Sequence, residues 1–357
     1  MTYDVAIIGA GPAGSSAGYE LAKNGLKVIL FDKKKFPRFK ACGGGLSLKA
    51  YRLFDFNIDN VLEKKIKTAR IFFNSSKYLE LKQKDYVGFT VKREKFDLFL
   101  AEKAIEKGVE FRDNCQVTSI ENQSDGIVIS TEKERISSRF VIGADGALST
   151  TARFFGMEYP DKKVSIITEI EINDSECELY NDFLCFDFGI IPGGYGWIFP
   201  CKDRLSIGVY TVKHPKNIQM YLEVFIKKQG FSDRKRMFTR RGAIIPLGGR
   251  RQNLIKDRII LAGDAAGLVD PFLGEGIYYA VKSGKLAAKC IFDFLNRDIS
   301  LNKYNETIYK EIVIPFQKAR KISWFVFNFT RLSYNMLKRK GNFQDFVTSI
   351  ITGDRGY

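Results

Sequence analysis

Residues 5–14 read Val5-Ala6-Ile7-Ile8-Gly9-Ala10-Gly11-Pro12-Ala13-Gly14. The apolar run Val5 to Ile8 suits a strand buried on both faces. Gly9, Gly11 and Gly14 follow with G-x-G-x-x-G spacing. The first glycine allows a tight turn, the second lets backbone approach a pyrophosphate, and the third lets the next helix pack closely on the strand. A helix starting near Pro12 aims free N–H groups and its positive dipole end at phosphate oxygens. A second apolar run, Val28 to Phe31, ends in Asp32, whose carboxylate can accept from a ribose hydroxyl. Strand, glycines, helix, strand and acid in this order predict an adenine-dinucleotide site, and Ala13 lies in its phosphate turn. The order does not choose between NAD and FAD.

Two later motifs choose FAD. Gly143-Ala144-Asp145-Gly146 follows the short apolar strand Phe140 to Ile142, and Ala262-Gly263-Asp264-Ala265-Ala266-Gly267 ends a buried strand from Arg258. FAD is longer than one mononucleotide-binding half can hold. Its ribityl chain and isoalloxazine need a second acceptor and a second helix N-terminus. Asp264 suits a ribityl hydroxyl. A helix opening at Gly274-Glu275-Gly276-Ile277 directs N–H groups toward the flavin N1–C2 carbonyl, where reduction builds negative charge. The alternative for Asp264 is a helix N-cap. No second G-x-G-x-x-G occurs between a strand and a helix, so a dedicated NAD(P)H domain is not expected. Electrons are expected from a transiently bound nicotinamide, NAD(P)H, or from a protein donor such as ferredoxin.

The chain has 357 residues, which suits two domains. It is 45% hydrophobic and 27% charged, the balance of a globular protein. Its net charge of +16 favours anionic partners such as acidic lipid or a phosphorylated substrate. The positive charge is dispersed and no nucleic-acid-binding module is visible, so nucleic acid is not expected. None of the six cysteines forms a C-x-x-C pair, which argues against a zinc ribbon or a redox dithiol. The first strand begins close to Met1, leaving no room for a targeting peptide, and a cytoplasmic location is the expectation. No apolar run approaches the roughly 20 residues of a spanning helix. The one histidine, His214, precedes Pro215 and excludes a histidine metal cluster.

After Asp32 a basic loop leads to Ala41-Cys42-Gly43-Gly44-Gly45, either a flexible turn or backbone lying against a flat ligand. Strands are expected at Ala69–Phe73 and Tyr78–Leu81. Arg93 to Lys107 has helical spacing, and Gln116–Glu121 with Ile127–Thr131 reads as a ribbon. From Lys163 to Tyr210 the pattern is mainly strand. Tyr195, Trp197 and Phe199 alternate there and share one face. Pro215 to Gly230 predicts a helix with Met220, Tyr221, Val224 and Phe225 on one side. In the basic, aromatic tail, Lys318 to Lys340 read as one helix carries an apolar stripe of Ile322, Phe325, Val326, Phe329, Leu332 and Met336. Such a helix either lies in the plane of an anionic membrane, with Trp324 at the interface, or docks on the protein's own substrate domain.

Taken together the motifs resemble the geranylgeranyl reductase family of flavoproteins, within the wider p-hydroxybenzoate hydroxylase-like group. The narrowing features are Phe36-Pro37-Arg38-Phe39-Lys40-Ala41-Cys42-Gly43-Gly44, Tyr195-Gly196-Trp197-Ile198-Phe199-Pro200 and Gly274-Glu275-Gly276-Ile277. The resemblance implies an α/β fold: a glutathione-reductase-type FAD-binding Rossmann domain, an inserted antiparallel-sheet substrate domain and a helical C-terminal tail. The expected division is residues 1–60, 89–155 and 251–296 for FAD, 61–88 and 156–250 for substrate, and 297–357 for the tail. The resemblance also places Ala13, Asp32, Ala41, Gly43, Arg93, Val117, Asp264, Gly276 and Ile277 at FAD contacts, with Cys42, Gly44, Asp145 and Gly263 beside them. It implies reduction of isolated C=C bonds in isoprenoid lipids or prenyl diphosphates. Tyr195, Trp197, Phe199 and Pro200 then contact substrate, and Cys42, Tyr195 and Trp197 serve the chemistry. Two other classes share such motifs: a flavin monooxygenase or halogenase, and an electron-carrier flavoprotein. Halogenases of this fold carry W-x-W-x-I-P, which Tyr195 to Phe199 does not match.

Overall fold

The computed structural model describes residues 2–124, 126–154, 156–157, 161–171, 179–180, 182–213, 215–231, 240–339, 341–352 and 357. Cys177, His214 and Lys340 lie outside the described residues. The chain forms two compact units. One comprises Met1–Phe39, Glu94–Lys162 and Pro246–Gln317; the other comprises Lys40–Arg93, Lys163–Ile245 and Lys318–Tyr357.

In the first unit, among the described residues, an eight-stranded sheet has a parallel centre. Thr2–Ile8 lies between Val28–Phe31 and Arg135–Gly143, in register Ile8↔Phe31 and Ile8↔Gly143. Ile259–Leu261 and Glu110–Arg112 extend the parallel part on either side. The ribbon Val117–Gln123 and Gly126–Thr131 adds antiparallel strands at Arg135–Gly143. The two opening runs are continuous in sequence because both faces of their strands are covered, and Val28 to Phe31 are all buried. Ala6, Ile8, Ile29 and Phe31 pack into one cluster with Val117, Ile120, Ile127 and Ile129. The opposite face, at Ile7, meets the helix Pro12–Lys23 at Gly14 and Gly18. That helix packs along Ile277–Arg297.

The second unit has a seven-stranded sheet in the order Arg241–Leu247, Asp161–Glu171, Arg204–Thr211, Gly194–Pro200, Phe183–Phe188, Thr68–Phe73 and Tyr78–Lys82. Neighbours run antiparallel from Asp161–Glu171 to Phe183–Phe188. Thr68–Phe73 then joins Phe183–Phe188 in parallel. A three-stranded sheet pairs Gly88–Val91 with Gly45–Ser47 and Leu62–Ile66. These pairings draw residues 40–60 and 89–93 into this unit, where the sequence-based division had grouped them with the dinucleotide motifs. One face of the large sheet is aliphatic: Ile198, Leu205, Ile207 and Val209 cluster with Leu222, Phe225 and Ile226 of the helix Ile218–Lys228. Of the four residues its spacing put on one side, Phe225 and Tyr221 pack into this cluster, whereas Met220 and Val224 are exposed because Leu222 and Ile226 turn inward instead.

The tail departs from a single helix. Ile314–Asn328 and Thr330–Lys338 are separated at Phe329, whose φ of −118° and ψ of 45° leave the helical region. The break rotates the expected stripe apart. Val326 is buried, whereas Phe329 and Leu332 are exposed. Inward positions are instead Ser323, Phe327, Ser333, Tyr334 and Leu337. Tyr334 stacks on Phe73 and donates its hydroxyl to the Lys77 carbonyl.

Gly284 marks the tightest approach between the two long helices of the first unit: a Cβ there would lie 2.2 Å from the Ala13 carbonyl oxygen. Alanine ordinarily favours a helix interior over glycine by about 0.5–1 kcal/mol. Here the backbone has no room to yield, and Gly284→Ala is expected to destabilise the fold by about 1–3 kcal/mol. Urea unfolding checks this, as a lower midpoint at unchanged slope.

Candidate functional site

The cofactor motifs of the first unit meet at the carboxyl ends of its parallel strands. Gly9, at φ 101°, turns the chain out of Thr2–Ile8. A Cβ on Gly9 would lie 2.4 Å from the Ala144 carbonyl oxygen, and one on Gly14 would lie 1.9 Å from that of Gly9. The turn is thus pressed against both the next strand's end and its own helix. The helix N-cap, Gly11, brings no side chain to its orphan N–H groups, and Pro12 occupies the first turn. These donors suit an anionic oxygen. A Cβ built at Gly263 would meet Ala13 Cβ at 2.9 Å, so the second motif abuts the first.

Asp32 follows Val28–Phe31 as expected and is buried. Its carboxylate accepts from Ala10 N (3.0 Å), Lys34 N (2.9 Å) and Arg38 Nε (3.2 Å). Three donors on about four acceptor positions leave one for a ribose hydroxyl. Arg38 also pairs with the fully buried Asp97 at 3.2 Å and lies 3.6 Å from where a Gly11 Cβ would stand. Arg38 was part of a sequence motif but had no assigned task. Its position beside the phosphate turn is set by Asp32, six residues before it, and by Asp97, which is distant in sequence and which no local pattern reveals.

Asp264 is half-buried, and among the described residues its carboxylate has no hydrogen-bond or ionic partner. It caps no helix: Ala262 opens the short turn that contains it. Its Oδ1 lies 3.6 Å from where a Gly276 Cβ would stand, and Gly276 is the uncapped N-cap of Ile277–Arg297. A carboxylate acceptor and a set of helix donors therefore converge, as the ribityl chain and flavin carbonyl of FAD require. The described residues fit that group. Ile277 is buried at the first helical position.

Two expected contacts are otherwise engaged. The Asp145 carboxylate accepts from Ser149 Oγ (2.5 Å), Thr150 N (2.7 Å) and Thr151 N (3.0 Å), and from both threonine hydroxyls. It holds the start of Thr150–Phe154 rather than facing a ligand. The Val117 side chain lies in the hydrophobic cluster, leaving its backbone as the part able to meet a ligand.

The second unit gathers the remaining candidates. Tyr195, Trp197 and Phe199 do share a face, at 5%, 6% and 9% exposure, joined by Phe186, Phe188 and Tyr210. Trp197 lies opposite Gly208, where a Cβ would collide with the indole at 2.1 Å. Its Nε1 donates to Ser206 Oγ at 3.4 Å. Pro200 does not belong to this face. The pleat puts it beside Ile198 on the other side, and its carbonyl accepts from Thr90 Oγ1 at 2.7 Å.

The glycine run has a specific neighbour. Cβ atoms on Gly43 and Gly45 would approach Trp197 Nε1 at 3.0 Å and Phe199 Cε2 at 2.9 Å. The protein's own rings thus lie on one side of this backbone. Cys42 Sγ, half-buried next to Ala41, accepts from Gly44 N at 3.4 Å. Arg93 is buried at the start of Arg93–Ile105, not solvated.

Residues 2–182 match the FAD binding domain family. The geranylgeranyl diphosphate reductase of Rhodobacter capsulatus is 33% identical over 83% of this chain and 76% of its own length. The chain belongs to the geranylgeranyl reductase family of flavoproteins. The family is one of FAD-dependent oxidoreductases, and FAD is the cofactor. The digeranylgeranylglycerophospholipid reductase of Methanocaldococcus jannaschii is 29% identical over 95% of this chain and 87% of its own. Among solved structures, a geranylgeranyl bacteriochlorophyll reductase-like protein of Thermoplasma acidophilum aligns with a TM-score of 0.80 at 25% identity, over 90% of this chain and 87% of that one. A flavin-dependent brominase aligns equally well, at 0.80, with 20% identity over 99% of this chain and 94% of that one, which shows the shared fold alone.

Loss of one charged acceptor costs about 1.5–3 kcal/mol. Asp264→Ala is accordingly expected to weaken FAD binding by about tenfold to a hundredfold, with the apoprotein's unfolding midpoint little changed. Flavin-fluorescence titration of the apoprotein measures it.

Proposed function

We propose that this protein saturates C=C bonds in the isoprenoid chains of lipids or prenyl diphosphates. The observation that carries the reading is the aromatic face of the second unit, with Tyr195, Trp197 and Phe199 in line and glycines at 43, 45 and 208 that clear space for the rings. Membership of a family whose named members act on geranylgeranyl groups supports it. Reduced FAD, when bound, supplies hydride. An isolated alkene has no carbonyl to hold developing charge, so positioning and exclusion of water carry the chain's share of the work.

On this reading Trp197 and Phe199 hold the prenyl chain, whose burial gains about 0.8 kcal/mol per CH₂. The proton for the second carbon comes from Cys42, whose glycine neighbours lie against Trp197 and Phe199, from Tyr195 or from ordered water. Along the cofactor, Asp32 with Arg38 holds the adenosine side, the helix start at Gly11 the pyrophosphate, Asp264 the ribityl chain and the helix start at Gly276 the flavin carbonyl. Electrons reach the flavin from NAD(P)H or a ferredoxin-like protein, since the chain offers one G-x-G-x-x-G site only.

An oxygen-using flavoenzyme of the same fold is the alternative reading. Mixing reduced protein with oxygen in a stopped-flow instrument separates the two, because a long-lived C4a-hydroperoxide spectrum belongs to the oxygenating class. For the reductase, dithionite-reduced protein given a geranylgeranylated lipid is expected to yield products heavier by successive pairs of hydrogens. Trp197→Ala is expected to cut turnover by about tenfold or more, the scale of about 1.4 kcal/mol of lost transition-state positioning, while flavin stays bound. Mass spectrometry and flavin absorbance read the two effects; unchanged turnover removes Trp197 from the substrate site.

A further inference from the structure

The helix break at Phe329 creates a surface that a continuous helix would not have. On one helix, positions 324 and 329 would point about 140° apart. Here their rings are 6.0 Å apart, edge to face, and Phe325 is 5.6 Å from Phe329. Trp324, Phe329 and Leu332 are 63%, 47% and 51% exposed, three large apolar side chains within nine residues. The opposite side of the same segment is fixed to the second unit: Phe327 packs on Phe188 and Tyr334 on Phe73. The patch is therefore presented by anchored helices.

Charge completes it. Residues 312–344 contain seven lysines and arginines and no aspartate or glutamate. Lys318, Lys321, Arg331, Lys338 and Arg339 are all exposed. Lys321 precedes Trp324 by three residues and so shares its helix face, and Arg331 adjoins Leu332. A basic segment carrying an exposed tryptophan suits a surface that is anionic throughout and apolar just below.

We propose that Trp324, Phe329 and Leu332 insert into the headgroup region of an anionic phospholipid bilayer, with Lys321 and Arg331 at its phosphates. The surface stands independently of which bond the enzyme reduces; its purpose, access to a bilayer-resident chain, rests on the isoprenoid reading. No described helix is long and apolar enough to cross the membrane, so the contact is peripheral.

The chain's two tryptophans supply the probe, because Trp197 is buried and Trp324 exposed. The full-length flavoprotein is mixed with phosphatidylglycerol vesicles or phosphatidylcholine vesicles, without substrate. Sedimentation and a blue shift of tryptophan emission are expected with the anionic vesicles only, and both are lost near about 1 M salt, where the screening length is about 3 Å. Trp324→Ala/Phe329→Ala/Leu332→Ala is expected to sediment about tenfold less, while its flavin content and circular dichroism match wild type. Lys321→Glu/Arg331→Glu, which leaves the apolar residues in place, is expected to behave likewise. Wild-type protein that stays in the supernatant overturns the proposal, as does a triple variant that binds like wild type. A concentration-dependent dimer abolished by the triple variant, without vesicle binding, overturns it in favour of a second copy of the chain.

Discussion

Backbone-on-backbone contact at the ends of the parallel strands is the constraint on which the cofactor unit depends. Gly14 sits against the Gly9 carbonyl and Gly284 against the Ala13 carbonyl, each too close to admit a Cβ. Side chains are thereby removed from the place where the helix starts at Gly11 and Gly276 approach the ligand. On the proposed reading, a phosphate or a flavin carbonyl meets peptide N–H there, a donor that neither titrates nor swings. On the same reading, charged side chains meet the cofactor at Asp32 with Arg38 and at Asp264.

The second unit solves a different problem with the same residue. The central strands of its large sheet, Phe183–Phe188, Gly194–Pro200 and Arg204–Thr211, are buried on both faces, one aliphatic and one aromatic. Indole and phenyl rings stand higher above a sheet than leucine or valine, so neighbouring positions must be emptied. Gly208 across from Trp197, and Gly43 and Gly45 above Trp197 and Phe199, are those emptied positions. Trp197 is then fixed at its far end by Ser206. The rings hold one orientation because the surrounding backbone leaves them no other.

Much of this was legible in the chain. Strands such as Val28–Phe31 announce themselves because both faces are covered, and the acid at position 32 falls where a strand end must be. Tyr195, Trp197 and Phe199 share a face because the pleat has period two, and the same rule sends Pro200 to the other side. Illegible features were those decided by tertiary partners. Gly45–Ser47 is a strand only because Gly88–Val91 lies beside it. Asp145 looked like a ligand acid because its neighbours matched a motif, yet Ser149, Thr150 and Thr151 take its oxygens. The helical period ran unbroken through Phe329; what stopped it was the docking of Phe327 and Tyr334 on a sheet formed far upstream.

That docking bears on how the chain comes to be folded. Thr68–Phe73 finds its parallel neighbour only at Phe183–Phe188, and the Tyr334 hydroxyl reaches a carbonyl 257 residues earlier. Each unit is assembled from three separated stretches, the last of them near the end of the sequence. A growing chain on the ribosome therefore holds strands without their partners for most of its synthesis. Contacts of such long span close slowly, and unpaired edges are exposed to mispairing meanwhile. Sheet topology thus sets how long unpaired strands stay exposed during folding as much as apolar content does.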